Sequence, residues 1–147
     1  MKSHYIWAGW QVPGSVNALI TTRNGGVSAA PFDSFNLAYH VGDNCDSVLV
    51  NRSRLKSELG FLYEPQWLEQ EHGTAVVKAE AGGPVLCADA VFTDETGLPC
   101  AVMTADCLPV FFCNGSGTQV AVAHAGWRGL VNGVLEATLG VFGESPE

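Results

Sequence analysis

The chain has 147 residues, 47% hydrophobic and 15% charged, which supports one buried core and excludes a disordered or low-complexity chain. Seven Lys and Arg against fifteen Asp and Glu give a formal net charge of −8; without clustered cations to meet phosphates, a nucleic-acid partner is not expected. No stretch reaches the roughly 20 apolar residues of a membrane helix, and the opening MKSHYIWAGW lacks the apolar core and cleavage site of a secretion signal, so a cytoplasmic chain without a membrane partner is expected.

Residues 16–22 (VNALITT) are rich in β-formers and run into the turn Arg23-Asn24-Gly25-Gly26, whose glycines permit positive φ and outward-facing N–H groups. Residues 31–39 look irregular. Asp43 is placed to cap a helix over residues 45–59, where Val48, Leu55 and Leu59 fall near helical spacing and Gly60 supplies the stop. Short strands at 66–70 and 74–78 flank the corner Glu71-His72-Gly73, and residues 88–93 alternate as a strand. Strands at 100–104 and 109–113 flank Ala105-Asp106-Cys107. Residues 119–124 form a buried strand, which Ala125-Gly126 turns into a helix from about Arg128 to Phe142. This order gives an α/β class: a layered mixed sheet with flanking helices, in a single domain over residues 1–147.

Five cysteines (Cys45, Cys87, Cys100, Cys107 and Cys113) are odd in number and widely spaced. They read as thiols or metal ligands rather than a disulfide framework. Cys107, His72 and His124 each sit at or beside an expected strand end, where α/β proteins assemble sites from distant sequence. One thiolate and two imidazoles suit zinc and leave a fourth position open, as in catalytic sites. Spacing alone leaves this open, because no close-spaced ligand pair is present and a lone His or Cys on a strand is usually packing. Arg23 with its Gly-Gly turn could form an anion nest or be an ordinary turn. Arg128, opening a helix after a glycine, could bind an anion or a surface carboxylate. Asp106 could orient a ligand, move a proton or satisfy a turn, and Trp127 could stack on a base or pack.

The segments Thr21-Thr22-Arg23-Asn24-Gly25-Gly26-Val27-Ser28, Ser34-Phe35-Asn36-Leu37 and Val41-Gly42-Asp43, then Asn51-Arg52, are followed by Trp67-Leu68-Glu69-Gln70-Glu71-His72-Gly73 and Ala88-Asp89-Ala90. Thr104-Ala105-Asp106-Cys107-Leu108-Pro109 and His124-Ala125-Gly126-Trp127-Arg128-Gly129 complete the series. In this order they closely resemble the laccase-domain family, also called the multicopper polyphenol oxidoreductase, peptidoglycan editing factor or purine nucleoside phosphorylase family. The resemblance implies an α/β enzyme with zinc on His72, Cys107 and His124. It also implies phosphorolysis of adenosine, inosine and methylthioadenosine, and adenosine deamination.

The implied substrates are a purine nucleoside and phosphate, with Arg23, Asn24, Gly25, Gly26 and Arg128 as candidates for holding the phosphate and Asp106 beside the metal trio as a candidate catalytic group. Copper-dependent oxidation of polyphenols is the alternative carried by the older family name, although four histidines in the chain are too few for a multicopper site. A Cys–His hydrolase, with Cys107 as nucleophile and His124 as base, is a further alternative, and a zinc-binding chain without turnover is the non-enzyme one. Family members usually run on past the point at which this chain ends, Pro146-Glu147. The expectation is therefore a C-terminally truncated member with an incomplete sheet edge, prone to self-association there.

Overall fold

In the computed structural model, which describes residues 4–143, the β-rich stretch at 16–22 narrows to a three-residue strand and acquires a partner that hydrophobic pattern did not mark. This partner, β1 (Tyr5–Trp7), pairs antiparallel with β2 (Leu19–Thr21). Together with α1 (Cys45–Leu59) they belong to the first of two compact units, drawn from residues 4–11 and 17–60. The cap of α1 is Asn44 rather than Asp43: the Asn44 side chain accepts from the Ser47 N–H at 3.0 Å, while Asp43 takes the Asn44 N–H and the Asn36 amide. Either residue type can cap, and the choice rests on one residue of register. Gly60 closes the helix in the left-handed conformation at φ 64°, as expected of a C-terminal glycine. Inside this unit the Tyr5 ring meets the buried Phe35 edge-on, and the Tyr5 hydroxyl donates to Glu58 at 2.7 Å.

The second unit comprises residues 12–16 and 61–143. Its strands are β3 (Leu68–Glu69), β4 (Val76–Lys78), β5 (Leu86–Cys87), β6 (Ala90–Thr93), β7 (Leu108–Cys113) and β8 (Val120–Ala125). β3 and β5 form a short parallel pair, and the other four form a mixed sheet in the order β4-β6-β8-β7. In that sheet β4 is parallel to β6, and β8 runs antiparallel to both β6 and β7.

Period-two alternation sorts the side chains of this sheet onto two faces. Val91 and Val122 point into one cluster with Leu68, Ala79, Ala88 and Leu98. Ala90, Ala123 and Ala125 point to the other, under Val134. Alanine at each of these three positions, on two neighbouring strands, leaves little side-chain thickness between helix and sheet. Val134 opens α3 (Val134–Gly140), which packs on β8, β6 and β4.

Two expectations change here. The helix from Arg128 to Phe142 is two helices, α2 (Trp127–Asn132) and α3, because Gly133 adopts φ 95° and serves as the C-cap of one and the N-cap of the other. Residues 100–104 do not form a strand; only an isolated bridge joins Gln66 to Cys100. The Gln70 side-chain amide instead takes both backbone groups of Met103, at 2.7 and 2.8 Å. The α/β class and the mixed sheet stand, with the strands divided among three sheets rather than one. The chain end at Pro146 and Glu147 lies outside the described residues, as do the first three residues of the amino-terminal stretch. Among the described residues no helix is long and apolar enough to cross a membrane.

Candidate metal centre

β6 and β4 begin, β8 ends and β7 begins at the same end of the four-stranded sheet, since β8 runs antiparallel to its neighbours. Continuing the register one pair beyond Ala90↔Ala123 sets Asp89 opposite His124, and the His124 N–H donates to the Asp89 carbonyl at 2.7 Å. Continuing one pair beyond Leu108↔Ala125 sets Cys107 opposite Gly126. His72 occupies the corner before β4, with φ at 60°. A left-handed backbone is uncommon for a residue with a Cβ.

The ligand atoms of His72, Cys107 and His124 all lie within 4.8 Å of one another. The Cys107 sulfur is 4.0 Å from His72 Nε2, and the two imidazole rings meet edge-on with centroids 4.8 Å apart. Ligand atoms bound to one zinc at about 2.0–2.3 Å are separated by roughly 3.3–3.8 Å, so the trio can close on an ion by small side-chain adjustments. The donor set fits: one sulfur and two imidazole nitrogens, with His72 on the exposed side of the group and His124 buried. His124 is 4% exposed, and its Nδ1 lies 2.8 Å from Asp89 Oδ1, which is the partner a metal-binding histidine ordinarily has. The residues present can therefore hold a metal ion.

Gly126 makes the room. A Cβ there would stand 2.9 Å from the His72 ring and 3.0 Å from the Cys107 sulfur, although its backbone, at φ −72°, is open to any residue. Gly129 does the same one helical turn on, where a Cβ would come 3.1 Å from the Gly73 carbonyl. Gly126→Ala is expected to cost about 1–3 kcal/mol of stability through overpacking, and to cost the zinc-loaded chain more than the metal-free one, because both crowded neighbours are ligands. Thermal unfolding with and without zinc checks this, and an unchanged zinc-induced shift would contradict it.

The electrostatics bear on the hydrolase alternative. Burial raises the Cys107 thiol above its ordinary value, and the charge and hydrogen bond of Asp106, with the charge of Asp89, push it further. A nucleophilic cysteine ordinarily has a lowered pKa, the opposite of the direction found for Cys107. Asp89 is driven the other way: burial raises it, but hydrogen bonds from His124, Gly73, Glu71 and His72 outweigh burial and hold it below the usual carboxylate range. Cys100, in the core, is pushed up to about 12 by burial.

Of the remaining candidates, Asp106 sits 3.8 Å from the Cys107 sulfur. Arg128 is the second residue of α2, two past Gly126, and its guanidinium lies 5.4 Å from the ring of Trp127, which is 69% exposed. Arg23, Asn24, Gly25 and Gly26 belong to the first unit and are engaged within it. Arg23 donates to the carbonyls of Asp33 and Pro31 and pairs with the Asp33 carboxylate at 3.5 Å. Asn24 bonds to Thr22, the Gly25 carbonyl accepts from Arg54, and the Gly26 N–H donates to Ser34 Oγ. Asp89 stood in the sequence only as part of a motif segment and Gly126 only as a turn; their place beside the trio follows from strand register.

A family description, multi-copper polyphenol oxidoreductase laccase, matches residues 17–147. The chain is 53% identical over 140 residues to the purine nucleoside phosphorylase YfiH of Escherichia coli K12, covering 94% of this chain and 57% of that protein. It is 54% identical over 134 residues to the purine nucleoside phosphorylase PA4543 of Pseudomonas aeruginosa, covering 91% and 54%. The crystal structure of Neisseria meningitidis protein NMB0706 superposes with a TM-score of 0.89 at 49% identity, over 95% of this chain and 57% of that one. That of YlmD from Geobacillus stearothermophilus gives 0.88 at 33% identity, over 97% and 57%. The chain thus spans a little over half the length of these relatives. With the fold, the motifs and these matches in agreement, the chain belongs to the multi-copper polyphenol oxidoreductase laccase family.

Proposed function

We propose that this chain carries the metal centre of a cytoplasmic purine nucleoside phosphorylase, with zinc held by His72, Cys107 and His124, acting on adenosine, inosine and methylthioadenosine. The observation that carries the proposal is the meeting of one thiol and two imidazoles at one end of the sheet, in a chain half identical to proteins named purine nucleoside phosphorylase. Zinc is preferred over copper because a single three-ligand group is found among the described residues and the thiolate–imidazole set suits zinc. When bound, zinc supplies a Lewis acid with an open position.

In phosphorolysis a phosphate oxygen bonds to ribose C1′ as the bond from C1′ to the purine nitrogen breaks, and the electron pair leaves with the base. A cation must hold the phosphate, and we assign this to Arg128, two residues past the glycine that packs on His72 and Cys107. Arg23 has neighbouring carbonyls and Asp33 as its partners. The exposed Trp127 indole offers a flat apolar face to the purine, and Asp106, beside the Cys107 sulfur, is assigned to moving a proton onto the departing base.

The test is elemental analysis of the purified chain, with product detection from adenosine and inosine with and without phosphate. The proposal expects zinc near one per chain, and free base with ribose 1-phosphate only when phosphate is present. Inosine formed from adenosine without phosphate would assign deamination instead. Stoichiometric copper with oxidation of a polyphenol would assign the oxidase, and zinc without any product would leave a binding chain.

A further inference from the structure

We propose that Asp89 is the positioning residue of the metal centre: one buried carboxylate fixes two of its three ligands at once. The inference rests on the metal reading of the trio and goes beyond it, to a residue that touches no ion.

Asp89 is 1% exposed. Its Oδ1 accepts from His124 Nδ1 at 2.8 Å and from the His72 N–H at 2.9 Å, and its Oδ2 accepts from the N–H groups of Gly73 at 2.8 Å and Glu71 at 3.1 Å. Four donors thus converge on one side chain. An ionised carboxylate has only acceptor sites, so the ring proton of His124 must sit on Nδ1. That leaves the lone pair on Nε2 for a metal and locks the ring against rotation. The three backbone bonds hold the Glu71-His72-Gly73 corner, including the left-handed φ of 60° at His72. A corner in that conformation persists where its surroundings over-determine it, and here the surroundings are Asp89. Cys107, the third ligand, is set separately by β7 and by the gap at Gly126.

An asparagine at this position cannot meet the same four donors. Its amide can turn its oxygen toward His124 or toward the corner, and its NH2 group then faces N–H donors on the other side. Asp89→Asn is expected to weaken zinc binding by about 10–100-fold, the range for lost ligand-orienting partners, measured by competition with a chromophoric chelator. Val91→Ala, two residues on along the same strand face and fully buried, is the control: it should lower thermal stability while leaving zinc affinity at the parent value. A merely structural role for Asp89 predicts that both variants behave alike.

A second measurement needs no variant. Long-range proton–nitrogen correlation of the imidazoles in the metal-free parent should show His124 as the Nδ1–H tautomer. Finding the Nε2–H tautomer would overturn the inference even if Asp89→Asn did not fold. Parent-like zinc affinity in Asp89→Asn would overturn the inference alone. A parent chain that binds no zinc would overturn the metal reading and this inference together.

Discussion

Cys107→Ser is expected to weaken zinc binding by roughly two to three orders of magnitude while leaving the fold in place. A four-ligand zinc site is worth about 10–16 kcal/mol, or about 2.5–4 kcal/mol per ligand if the total is divided evenly. A serine hydroxyl does not ionise near neutral pH, so it replaces the thiolate poorly. The parent site has a matching pH signature. Its thiol is raised above the ordinary cysteine value by burial and by Asp106, so throughout the neutral range Cys107 must lose a proton to bind a metal. Zinc affinity should therefore rise by about tenfold per pH unit from this group alone, and Cys107→Ser should flatten the slope by one proton. Isothermal titration in buffers of different ionisation enthalpy reads both the affinity and the proton count. Serine binding zinc as tightly as the parent, with the same proton release, would remove Cys107 from the site.

The three residues of this candidate centre were marked by residue type and strand-end placement, but spacing alone did not bring them together. His72, Cys107 and His124 stood out as chemistry-bearing groups near strand ends, yet His72 lies 35 residues from Cys107. No local pattern announces such a pair, so the order of the surrounding motifs had to supply what spacing could not. Asp89 carried even less signal, because its partner His124 is 35 residues away and becomes its neighbour only through the register of β6 and β8.

Among the elements, α1 was read at its observed limits because it carries both a cap and a terminal glycine. The long helix after His124 was misread because Gly133, tolerable inside a helical pattern, adopts a positive φ here and ends α2. The strand at 100–104 failed for a different reason: a glutamine side chain supplies hydrogen bonds that a neighbouring strand would otherwise make. Side-chain substitution for a backbone ladder leaves no trace in hydrophobic periodicity.

Asn51→Ala is expected to be the most damaging single change within the first unit, at about 2–5 kcal/mol. Asn51 lies on α1 and is fully buried, where a polar side chain is costly unless satisfied. It is satisfied on every side. Its Oδ1 accepts the Val27 N–H at 2.9 Å, and its Nδ2 donates to Ser28 Oγ at 3.0 Å, the Ser34 carbonyl at 3.2 Å and the Asn36 carbonyl at 2.8 Å. These partners come from the irregular segments that follow β2, which have no ladder of their own to order them. Alanine strands the Val27 N–H and at least one carbonyl, each at about 1–3 kcal/mol when buried. Asn51→Asp separates hydrogen bonding from packing: it keeps the volume and the acceptor for Val27 but loses both donated protons and turns an anion toward two carbonyl oxygens. It should therefore be no more stable than Asn51→Ala. Denaturant unfolding measures the loss, and hydrogen exchange at Val27 shows where it falls. Because the three candidate ligands and Asp89 all belong to the other unit, zinc affinity should be retained under conditions in which the variant remains folded. An aspartate variant as stable as the parent would mean that the donated bonds contribute little, and that packing and the bond accepted from Val27 account for the stability.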